Sequence, residues 1–185
     1  MFHMEQKDYK LEIVNSLINR SWHIRSLAKE LMINHTTVLR KLNELSKENV
    51  LDYRDEGKNK IYFLKKTSES KAYIFMVENY KLNKFLEKFP KLRGIIEKIQ
   101  NDKRIKLAVI FGSYAKDMVK KDSDIDIYIE TVSRELKENI EDLNSRLSVK
   151  IGKYAHKSML AKEIEKNHVI IKGIEKFYEN SKFFG

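Results

Sequence analysis

Residues 111–130 read FGSYAKDMVKKDSDIDIYIE, and their spacing decides the fold of the C-terminal half. Just ahead of them, Ile105 to Phe111 is a nearly continuous apolar run rich in β-branched residues, as expected of a buried strand. The run stops at Gly112-Ser113. Ten residues later Asp124-Ile125-Asp126 opens a second run, apolar at alternate positions as far as Ile129, which predicts a second strand. Side chains two apart on a strand point the same way, so this spacing sets both carboxylates on one face.

Two adjacent carboxylates repel each other unless a cation lies between them, so the pair is either costly or a divalent-metal site. The turn beside it favours the metal. Gly112 lets a phosphate approach the backbone, Ser113 offers a hydroxyl, and the helix expected next would present free N–H groups to an anion. Together these residues make a place for a metal-bound triphosphate.

Further along, Leu147 to Tyr154 predicts another strand, and no Asp or Glu occurs between Arg146 and Glu163. Glu141 and Asp142 belong to the preceding predicted helix, while Lys150 and Lys153 suit phosphate better than metal. The tail is patterned as helices around Met159, Leu160 and Ile164, and again around Ile174, Phe177 and Tyr178.

Upstream of the first strand, Thr67-Ser68-Glu69-Ser70 is a capping signal for a long helix whose apolar residues run from Ala72 to Phe89. Pro90 ends it, and a second helix follows through Leu92, Ile95, Ile96 and Ile99. Tyr73, Phe75, Tyr80, Phe85 and Phe89 form an aromatic stripe, suited to core packing or to pairing two subunits.

Along the first 66 residues the apolar spacing passes from helical to strand-like. Leu11, Val14, Leu17 and Ile18 predict a first helix. Ser21 can cap a second over His23 to Met32, and a third from about Thr36 to Lys47 buries Val38, Leu39, Leu42 and Leu45. Val50 to Arg54 and Lys60 to Leu64 then read as a hairpin around Asp55 to Asn59, its tip at Gly57. Three helices and a hairpin make a winged helix, which binds either DNA or another protein.

These stretches carry two family resemblances. LAKELMINHTTVLRKLNELSKENVLDYRDEGKNKIYFL, residues 27–64, resembles the winged helix-turn-helix family and its transcription regulators. The resemblance implies a third helix in the major groove and a wing on the phosphate backbone. Thr36, Thr37, Arg40 and Lys41 would then lie near bases, and Arg54, Lys58 and Lys60 near phosphates.

FGSYAKDMVKKDSDIDIYIE resembles the nucleotidyltransferase superfamily of DNA polymerase beta, specifically its minimal nucleotidyltransferases. That implies Gly112 and Ser113 hold the phosphates of a nucleoside triphosphate, and the catalytic carboxylates Asp124 and Asp126 bind Mg²⁺ or Mn²⁺. It also implies in-line attack of a hydroxyl on the α-phosphate, with two metals clamping the attacking and leaving oxygens. The chain departs from the family at two points. Asp117 stands where members often have glycine, and the later strand lacks the third carboxylate that active members generally carry.

The chain as a whole resembles an archaeal-type fusion of these two parts. The expected fold is α+β: a winged helix-turn-helix DNA-binding domain over 1–66, a helical connector over 67–104 able to pair two copies, and a nucleotidyltransferase domain with a mixed sheet over 105–185. The expected function is a DNA-binding, transcription-regulating protein whose second domain binds a metal–nucleoside triphosphate. The alternative is an active nucleotidyltransferase moving NMP to a small molecule, a protein or RNA. Expected partners are double-stranded DNA, the triphosphate and a second copy of the chain, without a membrane.

Composition sets bounds on these readings. Of 185 residues, 37 are Lys or Arg and 27 Asp or Glu, a net charge of +10 that suits polyanionic partners. The excess leans N-terminal, with 13 basic and 9 acidic residues before position 67 against 15 and 13 after position 104. The absence of cysteine excludes disulfides, thiolate metal sites and a thiol nucleophile. No apolar run reaches the roughly 18 residues of a membrane span, and MFHMEQKDYK lacks a signal peptide's apolar core, so a cytoplasmic protein is expected.

Overall fold

The computed structural model describes residues 7–184, and the chain divides into two compact units, Met1–Tyr80 and Lys81–Gly185. The dividing point falls inside one long helix.

In the first unit α1 (Tyr9–Ile18) starts at Asp8, whose carboxylate accepts from the backbone of Lys10 and Leu11. A two-residue strand β1 (Trp22–His23) leads into α2 (Ile24–Leu31), then α3 (His35–Lys47), capped by the Asn34 side chain on the Thr37 N–H at 2.7 Å. The hairpin β2 (Leu51–Glu56) and β3 (Asn59–Leu64) follows, and α4 (Ser68–Lys88) begins after it. The sheet order is β1-β3-β2, antiparallel throughout. Three helices and this small sheet make a winged helix-turn-helix.

Three details differ from the sequence reading. His23, expected in a helix, pairs with Ile61 of β3, because a strand partner distant in sequence outweighs local period. His23 rather than Ser21 stands at the start of α2, with no side-chain cap. The hairpin is tighter than expected: only Gly57 and Lys58 form the turn, Gly57 at φ +62°. Ile13, Val14, Leu27, Val38, Leu42, Leu45 and Ile74 are fully buried, whereas Leu39 is 38% exposed and belongs to the outer side of α3.

In the second unit a 3-10 turn (Pro90–Leu92) and α5 (Arg93–Asn101) precede β4 (Ala108–Phe111). Then come α6 (Gly112–Ala115), β5 (Ile125–Glu130), α7 (Arg134–Glu141), β6 (Leu147–Gly152), α8 (Met159–Lys166), β7 (Val169–Lys172) and α9 (Ile174–Asn180). The helix expected after Gly112-Ser113 is a single turn.

Sheet order is β6-β5-β4-β7; β5 and β6 are parallel and the other pairs antiparallel, so the sheet is mixed. A parallel pair needs a crossover, and α7 supplies it. On one face Ala108, Ile110, Ile127, Ile129 and Val149 pack with Ile96, Ile99, Leu136, Ile140 and Phe85 in one apolar cluster. Alternation turns Asp126, Tyr128 and Glu130 to the opposite face, where the Tyr128, Tyr154 and Phe177 rings meet edge to face at 5.8 and 6.1 Å. Phe85 of α4 and Phe89 just after it pack on Tyr114 at 6.5 and 5.0 Å, which places these two residues of the aromatic stripe in intrachain packing.

Candidate nucleotide and nucleic-acid sites

The chemistry of the second unit gathers where β4 ends. Phe111 of β4 and Asp126 of β5 are directly paired, and Ser148 of β6 is paired to Asp126 on its other side. Asp126 is thus held in the middle of the sheet. Chain direction turns at once after Phe111, with Gly112 at φ +69°. A β-carbon on Gly112 would lie 2.3 Å from the Asp126 Oδ2, so the absent side chain is what lets the carboxylate approach the turn.

The turn is closed by its own backbone. Lys116 N–H donates to Gly112 O at 3.1 Å and Met118 N–H to Ser113 O at 2.9 Å. Asp117 takes the left-handed conformation at φ +58°, which glycine adopts freely and Asp tolerates better than most residues. Glycine's role at this point of the family pattern is therefore met by backbone geometry, and the added charge is paired with Lys88.

Asp124 stands just before β5, exposed, and Asp126 is half-buried. Burial first, and the charge of Asp124 second, push the Asp126 carboxyl above its ordinary value; Glu163 adds to the push, and Lys150 and a Ser148 hydrogen bond oppose it. A cation between the acids would relieve that repulsion. The two carboxylates fit a magnesium-sized ion that arrives with a nucleotide, since such an ion commonly takes one or two carboxylates and completes its shell from phosphates and water. Among the described residues no three His, Asp or Glu side chains stand close enough to hold an ion by themselves.

Register identifies the residue at the strand position opposite Asp126 as Ser148. Glu141 is committed elsewhere: its carboxylate accepts the Val149 N–H at 2.9 Å and so satisfies the outer edge of β6. Two residues that sequence reading passed over enter the site, Lys116 and Glu163, whose side chains pair at 2.9 Å. Lys116 was legible from its closeness to Gly112; nothing in the spacing pointed to Glu163. His156 lies 3.4 Å from Glu165, and His168 bonds the Ile164 carbonyl at 2.8 Å.

In the first unit Thr36 is exposed, Thr37 half-buried, and Arg40 is 65% exposed with Glu44 3.6 Å away. Lys41 is only 21% exposed and donates to the same Glu44 at 2.9 Å; Lys10 of α1 reaches both Glu44 at 3.4 Å and Glu48 at 2.5 Å. The outward face of α3 thus carries an internally compensated charge cluster beside Arg40.

Arg54, Lys58 and Lys60 are all exposed on the hairpin, but not together. Arg54 pairs with Ile61, and Lys60 with Asp55, so alternation sends Arg54 and Lys60 to opposite faces, with Lys58 at the tip. The Lys60 ammonium sits 3.7 Å over the Tyr53 ring. His23 shares the Arg54 face and reaches Glu56 at 3.2 Å.

Residues 93–176 match the family described as Polymerase beta, Nucleotidyltransferase. No match is found among the curated proteins. Among solved structures, the chain is similar to the transcriptional repressor BigR from Xylella fastidiosa at 17% identity, covering 38% of this chain and 70% of that one with a TM-score of 0.36. It is similar to the homodimeric winged helix-turn-helix DNA-binding domain of Mb0332 from Mycobacterium bovis at 18% identity, over 38% and 65% of the two chains, TM-score 0.35. A structure described as a toxin-antitoxin with AMP-PNP is similar at 20% identity, over 58% and 80%, TM-score 0.34. Likenesses of this size establish no shared function. By its own topology the chain carries a winged helix-turn-helix unit and a second unit with a mixed sheet, and residues 93–176 match the polymerase beta nucleotidyltransferase family.

Proposed function

We propose that the protein is a DNA-binding, transcription-regulating protein whose nucleotidyltransferase domain binds a metal–nucleoside triphosphate. Asp124 and Asp126 would hold Mg²⁺ or Mn²⁺, and Gly112 and Ser113 the phosphates. The bound cation would neutralise the two acids and the phosphate oxygens together. The observation that carries this reading is the approach of Asp126 to the side-chain-free Gly112, which joins the acid and the turn in one place. Residues 1–66 would bind duplex DNA through α3 and the wing, 67–104 would connect and pair two copies, and 105–185 would bind the nucleotide.

Transfer of NMP to a small molecule, protein or RNA is the second reading, favoured by the retained pair of acids. It needs a group to take the proton of the attacking hydroxyl. Ser148 stands opposite Asp126 on β6, and a serine hydroxyl is a poor base, so binding without transfer is the better-supported outcome.

Calorimetry with ATP, GTP, CTP and UTP, each with Mg²⁺, tests the nucleotide site on the parent chain and on Asp124→Asn/Asp126→Asn. Micromolar affinity, about −8 kcal/mol, is expected for at least one nucleotide and should be lost in the double variant. No binding by any of the four would overturn the reading.

A further inference from the structure

We infer that the Glu163 carboxylate is an internal stand-in for phosphate: it occupies Lys116, and a triphosphate entering the site displaces it. This rests on the nucleotide reading above. Lys116 closes the turn that Gly112 opens, through its backbone bond to Gly112 O at 3.1 Å. Its ammonium donates to Glu163 Oε1 at 2.9 Å, with the two side chains 35% and 44% exposed. The other lysine bonded to this turn, Lys88, is paired with Asp117.

Glu163 comes from α8, which packs on β4 through a side bearing the buried Ala161 and Ile164. That seating brings Glu163 to the turn at the end of the same strand. Its charge is also felt at Asp126, together with those of Asp124 and Lys150. The carboxylate is held at the turn by its bond to Lys116, four residues after Gly112.

Carboxylate and phosphate oxygens compete for an ammonium by the same charge-assisted hydrogen bond. A half-exposed pair of this kind is weak, so the exchange costs little and needs no movement of α8. Asp124 and Asp126 also repel a bare triphosphate. A metal-bound nucleotide, which brings its own positive charge, is accepted in its place.

The test is calorimetry on the full chain with whichever of ATP, GTP, CTP or UTP binds the parent in Mg²⁺. Glu163→Gln should bind about threefold to fivefold more tightly, and Glu163→Ala should move the same way. Lys116→Gln should bind about fivefold more weakly, and Lys116→Gln/Glu163→Gln no more tightly than Lys116→Gln alone. A pair that only braced α8 against the turn would give losses in both single variants, so opposite signs separate the two roles. Glu163→Gln binding equal to or weaker than the parent overturns the inference. Absence of binding by the parent overturns the nucleotide reading and this one with it.

Discussion

The Asp126 Oδ2 lies 2.3 Å from the point where a β-carbon on Gly112 would stand, across the paired ends of β5 and β4. Gly112 is needed twice there, for the approach and for φ +69°. Gly112→Ala should therefore cost about 1–2 kcal/mol from the left-handed backbone alone. It should also push the carboxylate aside and weaken Mg²⁺–nucleotide binding roughly tenfold or more, a factor worth about 1.4 kcal/mol. Gly57→Ala is the control. Its φ of +62° predicts a similar stability loss, but nothing lies within 4 Å of the added carbon, and nucleotide affinity should not change. Urea melts and calorimetry on the two variants decide the matter; equal effects on nucleotide binding would refute it.

Asp126 predicts a pH signature. Its carboxyl is raised in the fold by burial and by Asp124, so its ionised form penalises the folded state, and the penalty is present above the ordinary carboxylate range and absent in acid. Without metal, Asp126→Asn should raise Tm near neutral pH, with the gain shrinking as pH falls through the carboxylate range. Added Mg²⁺ with the bound nucleotide should raise the parent's Tm and leave the variant's unchanged. A variant that melts below the parent at pH 7 in chelator would contradict this account.

Ser148→Asp would set a third acid directly opposite Asp126. Like charges directly paired across strands repel, so the variant should lose up to about 1 kcal/mol in metal-free buffer. Mn²⁺ binding, followed by electron paramagnetic resonance, should strengthen severalfold. Unchanged Mn²⁺ affinity would mean that position 148 does not face the ion.

Two basic residues of α3, Arg40 and Lys41, should separate in DNA binding. Arg40, 65% exposed, should matter to sequence preference, and Arg40→Ala should cost about 1–3 kcal/mol against the preferred duplex. Lys41, tied to Glu44 at 2.9 Å and 21% exposed, should alter thermal stability slightly and DNA affinity little. At the wing tip Lys58→Ala should weaken binding to all duplexes alike and reduce the slope of log affinity against log salt by about 0.9. If none of these changes retention on DNA, the regulator reading fails.

Much of the architecture could be read directly from residue patterns. The winged helix follows from three segments of helical spacing, a switch to strand spacing and a turn at Gly57, and β4 and β5 from apolar runs on either side of Gly112-Ser113. Those signals are local, since a helix or strand is marked by spacings of two to four residues. The short β1 was hidden, because two residues carry no period and only β3 makes them a strand. β7 was likewise missed as a strand, and it is β4 that makes it one.

The site divides along the same line. Gly112, Ser113, Asp124 and Asp126 are close in the chain, and their residue types declare phosphate and cation chemistry without any structure. That Ser148 faces Asp126 depends on the register of a parallel pair separated by a crossover helix, and register is set by the packing of both sheet faces. That Arg54 and Lys60 occupy opposite faces of the wing depends on which residues the hairpin pairs, since a shift of one position reverses every side chain. That Lys116 meets Glu163 depends on α8 lying over β4, a contact spanning 47 positions that only the assembled core can create.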